Sequence, residues 1–221
     1  MLIKKKKPKT PWHTKAVMEQ IYEQHLWGGQ AYDFYSGEGS HHPDIVNPYL
    51  DVVTAFLKSH NNSLNVCDFG CGDFNIGQHL FQYTKNYIAI DIVEALIERN
   101  KRKFNFDHLQ FLCLDIAKDE LPVADCAIIR QVFQHLSNAE ILQITEKLYQ
   151  YKYLILTEHI PSEAFIPNLD IISGQGIRLK HQSGVDLLEP PFNLKVKCVE
   201  VLNEIDWFDH QSKIVTKLYS L

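Results

Sequence analysis

One stretch restricts the fold of this chain more than any other: Val66-Cys67-Asp68-Phe69-Gly70-Cys71-Gly72-Asp73-Phe74-Asn75-Ile76-Gly77. The apolar run from Leu64 to Phe69 reads as a buried strand. Gly70 and Gly72 let the backbone turn sharply and approach a ligand without side chains in the way. A helix that starts directly afterwards aims its free N–H groups back at whatever the turn holds. A strand, a glycine turn and a helix in this order form the ligand-binding corner of an open, doubly wound α/β sheet.

The rest of the chain repeats that unit. Pro11 to Leu26 has helical spacing, with Val17, Ile21, Tyr22 and Leu26 three and four residues apart. Residues 27–42 carry glycines, aromatics and two histidines, which reads as a lid over a site. Asn47-Pro48 fits a helix start. After the opening strand, Phe74 to Tyr83 reads as a helix and Tyr87 to Asp91 as the second strand. Ile92 to Lys103 is the next helix, with Leu96 and Ile97 inward. Leu109 to Leu114 is the third strand and Ala124 to Ile129 the fourth. Ser137 to Glu140 is a capping box that opens a helix to about Gln150. Tyr153 to Thr157 is the fifth strand. Residues 160–193, rich in proline and glycine, form an irregular insert. Val196 to Leu202 and Lys213 to Leu221 read as a closing antiparallel pair.

Three carboxylates mark the C-terminal ends of successive strands: Asp68, Asp91 and Asp115. Ligands of open α/β sheets bind at those ends. A carboxylate ending the second strand is placed to accept from two ribose hydroxyls. One ending the third strand reaches an adenine amino group. An acid beside the glycine turn suits a ligand with positive charge. Three anions around one pocket would repel a dinucleotide, by about 1 kcal/mol or more for each close pair at intermediate dielectric. The nicotinamide reading also lacks its small third residue, because position 75 is Asn, and no tyrosine has a lysine four residues later. The pattern points to a cationic adenosine, S-adenosylmethionine.

These residues carry a family resemblance. Asp68-Phe69-Gly70-Cys71-Gly72, with Asp91 and Asp115, resembles the class I S-adenosylmethionine-dependent methyltransferases over roughly residues 64–221. Residues 71–75, 87–100, 114–122 and 190–194 are similar to a little-characterised, mostly bacterial group of small methyltransferases. The resemblance implies a Rossmann-like doubly wound α/β fold with seven strands in the order 3-2-1-4-5-7-6, the last antiparallel. It implies residues 1–46 as an N-terminal helix and lid and 47–221 as the methyltransferase domain. It also implies that Asp68 and the Gly70–Gly72 backbone hold the methionine part and that Asp91 takes the ribose. Ile92 would flank the adenine, Asp115 would bind its amino group, and Ile116 would stack on the ring. Arg130 or Gln131 would face the sulfonium and acceptor. The chain departs from the family where Phe74 replaces a third glycine, a side chain too bulky for close backbone approach. Asp73 or Asn75 is then expected to contact the methionine tail. A second departure is Gln131, where the closer group has an acid.

Methyl transfer is an in-line displacement, so positioning and exclusion of water come first. A base is needed only if the acceptor must lose a proton. His135, Arg130 and His159 are the candidate catalytic residues, with Glu158-His159 expected to end the fifth strand. Trp27, Tyr35 and Arg178 are candidate acceptor contacts, Arg178 as a bidentate fork for a carboxylate or phosphate. Two covering loops favour a small-molecule or glycan acceptor, methylated at oxygen. The alternatives are a protein or nucleic-acid methyltransferase and a non-catalytic S-adenosylmethionine-binding protein. The net charge of -5 argues against nucleic acid and anionic membranes. No apolar run is long enough to span a membrane. The five cysteines form no C-x-x-C pair, so no metal site is expected and a reducing, cytoplasmic location is. The basic run Lys4 to Lys7 with Lys9 reads as a solvated terminus.

Overall fold

The structure, a computed structural model, describes residues 12–221; Pro11 and the basic run before it lie outside them. The elements are α1 Thr14–Glu23, α2 Pro43–Ser59, β1 Asn65–Phe69, α3 Gly77–Leu80, β2 Asn86–Asp91, α4 Glu94–Lys103, β3 Leu109–Cys113, β4 Cys126–Arg130, α5 Asn138–Leu148, β5 Tyr153–Pro161, β6 Cys198–Asp206 and β7 Ser212–Ser220. The strands form one sheet in the order β3-β2-β1-β4-β5-β7-β6. β1 to β5 are mutually parallel, and β7 runs antiparallel to both β5 and β6. The order reverses between β1 and β4, which opens the crevice where such sheets bind ligands.

Alternation along the buried strands sets two cores. Cys67 and Phe69 of β1, with Ala127 and Ile129 of β4, face α1 and α5. Val66 of β1 and Cys126 and Ile128 of β4 face α2, against Tyr49, Val53 and Leu57. By the same alternation Asp68 and Arg130 lie on the α2 side. The chain after β5 also contributes to the first core, through Val185, Leu187, Phe192 and Leu194.

Several boundaries differ from the expectation for physical reasons. α2 starts at Pro43, not Asn47-Pro48: His42 is the N-cap and its ring accepts from Asp44 N at 3.3 Å. Pro48 lies inside that helix as its sixth residue, where it has no N–H to give to Asp44 O. The helix expected from Phe74 shrinks to Gly77–Leu80 and a 3-10 turn, because Phe74 has φ +64° and belongs to the turn. β5 runs on to Pro161 because β7 pairs with it over its whole length. The capping box is formed, with Ser137 and Glu140 each satisfying the other's backbone N–H.

Candidate active site

The C-terminal ends of the parallel strands open into a cavity of about 480 Å³. Its floor is the turn after β1. Gly70 and Gly72 have φ of +74° and +55°. A Cβ at Gly70 would sit 2.5 Å from Val132 Cγ2, and one at Gly72 would sit 2.3 Å from Ser36 Oγ, so both positions need glycine. The Asp91 carboxylate pins the turn, with Oδ2 accepting from Gly72 N at 3.1 Å and Oδ1 from Val93 N at 3.0 Å. Burial raises the Asp91 carboxyl to about 6 despite those amides. Each oxygen keeps a second lone pair for a ligand.

Position 74 corrects the expectation of a crowded turn. The Phe74 ring is fully buried and packs edge-on against Phe104 and Phe111, below the turn. Its positive φ carries the side chain away from the cavity, and the ring does not line it. The polar residues beside it are engaged with the lid. Asp73 accepts from Ser36 N at 3.0 Å and from His41 Nε2 at 2.6 Å. Asn75 Nδ2 donates to Ser40 O at 2.7 Å. Asp73 still lines the cavity.

One wall holds Ile92, Asp115 and Ile116, facing Thr14, Met18 and Tyr22 of α1. Asp115 accepts from Ala117 N at 3.1 Å and pairs with Lys118 at 2.7 Å. Thr14 bonds Glu140, which ties α1 to α5 above this wall. The deep wall on the α2 side holds Asp68, Arg130, Tyr49 and Tyr87. Tyr87 OH donates to Asp68 Oδ2 at 2.8 Å, and burial raises the Asp68 carboxyl to about 7.

The remaining wall holds Trp27, Gln134, His135, His159 and Trp207. His135 Nδ1 faces Gly174 O at 3.0 Å; a carbonyl only accepts, so Nδ1 carries the proton and Nε2 the lone pair. Burial holds His135 at about 4 and His159 at about 4, so both rings are neutral near pH 7. His159 Nε2 shares a 2.9 Å hydrogen bond with Ser212 Oγ, and its ring lies 4.7 Å from that of Trp207.

Three expected residues are elsewhere. Tyr35 does not reach the cavity: it stacks on His41 and its hydroxyl donates to Glu38 at 2.8 Å. Arg178 is not an acceptor fork. It is 1% exposed and donates to Leu169 O, Phe133 O, Leu136 O and Asn138 Oδ1 at 2.7 to 2.9 Å. Glu158, expected with His159 to end the fifth strand and point toward the site, faces the other side of β5 from His159, because neighbouring strand residues alternate; it accepts from Phe133 N at 3.1 Å and does not line the cavity. Two residues outside the expectation complete the site. Asn100 Nδ2 donates to Gly72 O at 2.8 Å, and Tyr49 forms part of the deep wall. Both sit on the apolar stripe of their helices, a polar group where the spacing calls for a core residue.

Residues 67–151 match the family model of a methyltransferase domain. The chain therefore carries a methyltransferase domain over these residues. No curated protein matches it in sequence. Among solved structures, the N-methyltransferase NodS of Bradyrhizobium japonicum WM9, in complex with S-adenosyl-L-homocysteine, is similar at TM-score 0.63 and 10% identity, over 92% of this chain and 98% of that one. Magnesium protoporphyrin IX methyltransferase (ChlM) of Synechocystis PCC 6803, with bound S-adenosylmethionine, is similar at TM-score 0.57 and 17% identity, over 96% of this chain and all (100%) of that one. At such identities the likeness is one of fold. The residues of the cavity fit S-adenosylmethionine: the Gly70–Gly72 turn lines it, with carboxylates at three strand ends and unpartnered buried polar atoms on the deep wall.

Proposed function

We propose that this methyltransferase acts on a small-molecule or glycan acceptor, at oxygen. The observation that carries the reading is enclosure. Residues 36–40 of the lid and 175–177 of the insert both line the cavity with the strand ends, leaving room for a cofactor and a small acceptor rather than a macromolecular surface. S-adenosylmethionine supplies an electrophilic methyl group; the chain's part is to orient the acceptor and keep water out. Asp91 is assigned to the ribose hydroxyls, Ile92 and Ile116 to the adenine faces, and Asp115 to its amino group. The Gly70–Gly72 backbone and Asp68 are assigned to the methionine end.

Oxygen is supported by His135, a neutral ring that lines the cavity and whose Nε2 lone pair accepts from Gln134 Nε2 at 3.2 Å, a partner that an acceptor hydroxyl would replace. Its low proton affinity suits hydrogen bonding more than full proton uptake. His159 and Trp27 complete the acceptor wall in this reading. Of residues 1–46, we further assign the described part, from residue 12 on, to a helix and lid that complete the domain formed by 47–221. A cytoplasmic location fits five free cysteines and, among the described residues, no helix long and apolar enough to cross a membrane.

Calorimetry with S-adenosylhomocysteine tests the cofactor assignment. Asp91→Ala is expected to weaken binding at least tenfold, about 1.4 kcal/mol. An unchanged affinity removes Asp91 from the ribose. Transfer of a labelled methyl group to a panel of hydroxylated and amine acceptors tests the rest; labelling of amines alone overturns oxygen.

A further inference from the structure

Two tryptophan–histidine pairs reach the cavity from opposite faces of the sheet. On the α1 and α5 side, the Trp27 ring packs against the first core and lies 5.1 Å from the ring of His135. On the other side, His159 shares its face of β5 with Ile155, which packs into the α2 core. Its partner Trp207 follows β6, and the next residue, Phe208, meets the ring of His42, the N-cap of α2. All four rings of the two pairs line the cavity. Gln134 lies between the pairs: its Oε1 accepts from His159 N and its Nε2 donates to His135 Nε2, each at 3.2 Å. His135 Nδ1 is on Gly174 O, His159 Nε2 on Ser212 Oγ and Gln175 Nε2 on Leu26 O. The amides and imidazoles of this wall are thus already bonded within the protein, and what they leave to a ligand is ring surface. Lys180 of the insert also lines the cavity, and among the described residues no carboxylate pairs with it.

From this we infer that the acceptor is a hydroxylated aromatic carboxylate, its ring between the two tryptophan–histidine pairs, its hydroxyl at His135 Nε2 and its carboxylate at Lys180. This acceptor class rests on the methyltransferase reading and narrows it. Two properties of the wall favour a flat ring over a glycan. Aromatic rings hold one another by face and edge contact, at centroid separations of about 4.5 to 7 Å, without any free polar group. A sugar enclosed here would bury several hydroxyls against a wall whose polar groups are taken, which is costly. The second property is the low proton affinity of His135. A phenol ionises near pH of about 10, far more readily than a sugar hydroxyl, so the weak help of a neutral imidazole suffices. In the transfer, the phenol oxygen bonds to the methyl carbon while the carbon–sulfur bond breaks and leaves its electron pair on sulfur. The hydroxyl proton leaves to water past His135 Nε2, and the products are an aryl methyl ether and S-adenosylhomocysteine.

Calorimetry on the protein saturated with S-adenosylhomocysteine compares three probes. The first, para-hydroxybenzoate, has the ring, the hydroxyl and the carboxylate. Its ring-saturated analogue lacks only the aromaticity, and para-hydroxybenzamide lacks only the charge. The wild-type protein is expected to bind para-hydroxybenzoate at least tenfold more tightly than either of the others. Trp207→Leu is expected to weaken para-hydroxybenzoate about tenfold and Lys180→Met about fivefold. S-adenosylhomocysteine binding is expected to stay within twofold of wild type in both variants, which also shows that they fold. Equal affinity for the aromatic acid and its saturated analogue overturns the aromatic slot, as does a Trp207→Leu protein that binds the aromatic acid as the wild type does. Equal affinity for the acid and the amide overturns the carboxylate and the role of Lys180. A protein that binds S-adenosylhomocysteine but none of the probes, or that methylates a saccharide and not para-hydroxybenzoate, overturns the acceptor class and leaves the methyltransferase reading standing. A protein that does not bind S-adenosylhomocysteine overturns that reading, and the acceptor class with it.

Discussion

Two irregular segments close over the strand ends, and they are fastened in opposite ways. The lid, residues 27–42, is held by side chains that belong to the ligand-binding turn and its neighbours. Asp73 takes Ser36 N and His41 Nε2, Asn75 takes Ser40 O, and Arg130 takes Gly39 O. At the lid's outer end, Asp33 is gripped by Arg99 and Lys103 of α4, each at 2.9 Å. The insert, residues 160–193, is held by buried polar groups that bond backbone. Arg178 binds three carbonyls, and Asn168 Nδ2 donates to Asp186 O and Pro190 O at 2.7 and 3.0 Å. Val185 and Leu187 then sink into the core. The insert is scaffold and opens only when the domain does. The lid rests Trp27 and Phe34 on the first core, but its backbone is fastened to the turn by polar side-chain contacts, which a local opening can break.

Cutting the insert's clamp is the most damaging test of that contrast. Arg178→Ala takes a donor from three carbonyls, of which Phe133 O keeps Leu136 N, and leaves Glu158 without a nearby cation. The expected loss is on the order of 3 kcal/mol or more, roughly 6 to 12 °C in Tm for a chain of this size. A Tm within about 2 °C of wild type in thermal unfolding would mean that the insert is as loosely held as the lid.

The matching cut in the lid is smaller and local. Asp73→Ala removes two hydrogen bonds to the lid and the cap on Asn75 N. Hydrogen exchange of the amides of residues 33–41 is expected to speed up about tenfold, an opening made easier by about 1.4 kcal/mol. The global Tm is expected to move by only a few degrees. Equal loss of protection in the lid and in β1 would show that the two unfold together.

The contrast also explains what the sequence makes legible. Both segments announce themselves by glycines, prolines and the absence of period, and every strand of the sheet announces itself by its apolar run. The partners of a polar residue do not. Arg178 and Arg130 have the same chemistry in the sequence; one satisfies the backbone of the core, the other faces the cavity. Which of these a guanidinium does depends on contacts dozens of residues away, from Phe133 to the insert or from β4 to the lid. Phe74 shows the same limit in a single torsion. Its bulk suggests a blocked turn, but a positive φ points the ring into the core, away from the cavity. Asp91 shows the converse: its place at the end of β2 follows from the apolar period, and the structure puts it there, on the Gly72 and Val93 amides.

The smallest effect lies beneath the insert, at Glu158. Burial raises its carboxyl to about 8, while Arg178 and the Phe133 and Gln134 amides pull the other way. In the unfolded chain a glutamate titrates near 4.3. The folded protein therefore holds this proton more tightly than the unfolded one. That contribution is fully present below about pH 4, and it is lost as pH rises through about 8. Glu158→Gln removes the titration while keeping a group that accepts from Phe133 N. The variant is expected to gain on the wild type as pH rises from 6 to about 8 and to level off above that. Tm is measured for both proteins across that range, each at the same ionic strength. A difference that stays flat with pH would mean that Glu158 is ionised throughout and paired with Arg178, making the insert's clamp an ion pair. A difference that grows with pH would mean that near pH 7 the clamp is a lone guanidinium on backbone carbonyls, over a protonated acid. In that case the insert is fastened without any carboxylate, in direct contrast to the lid, where Asp73 and Asp33 carry the attachment.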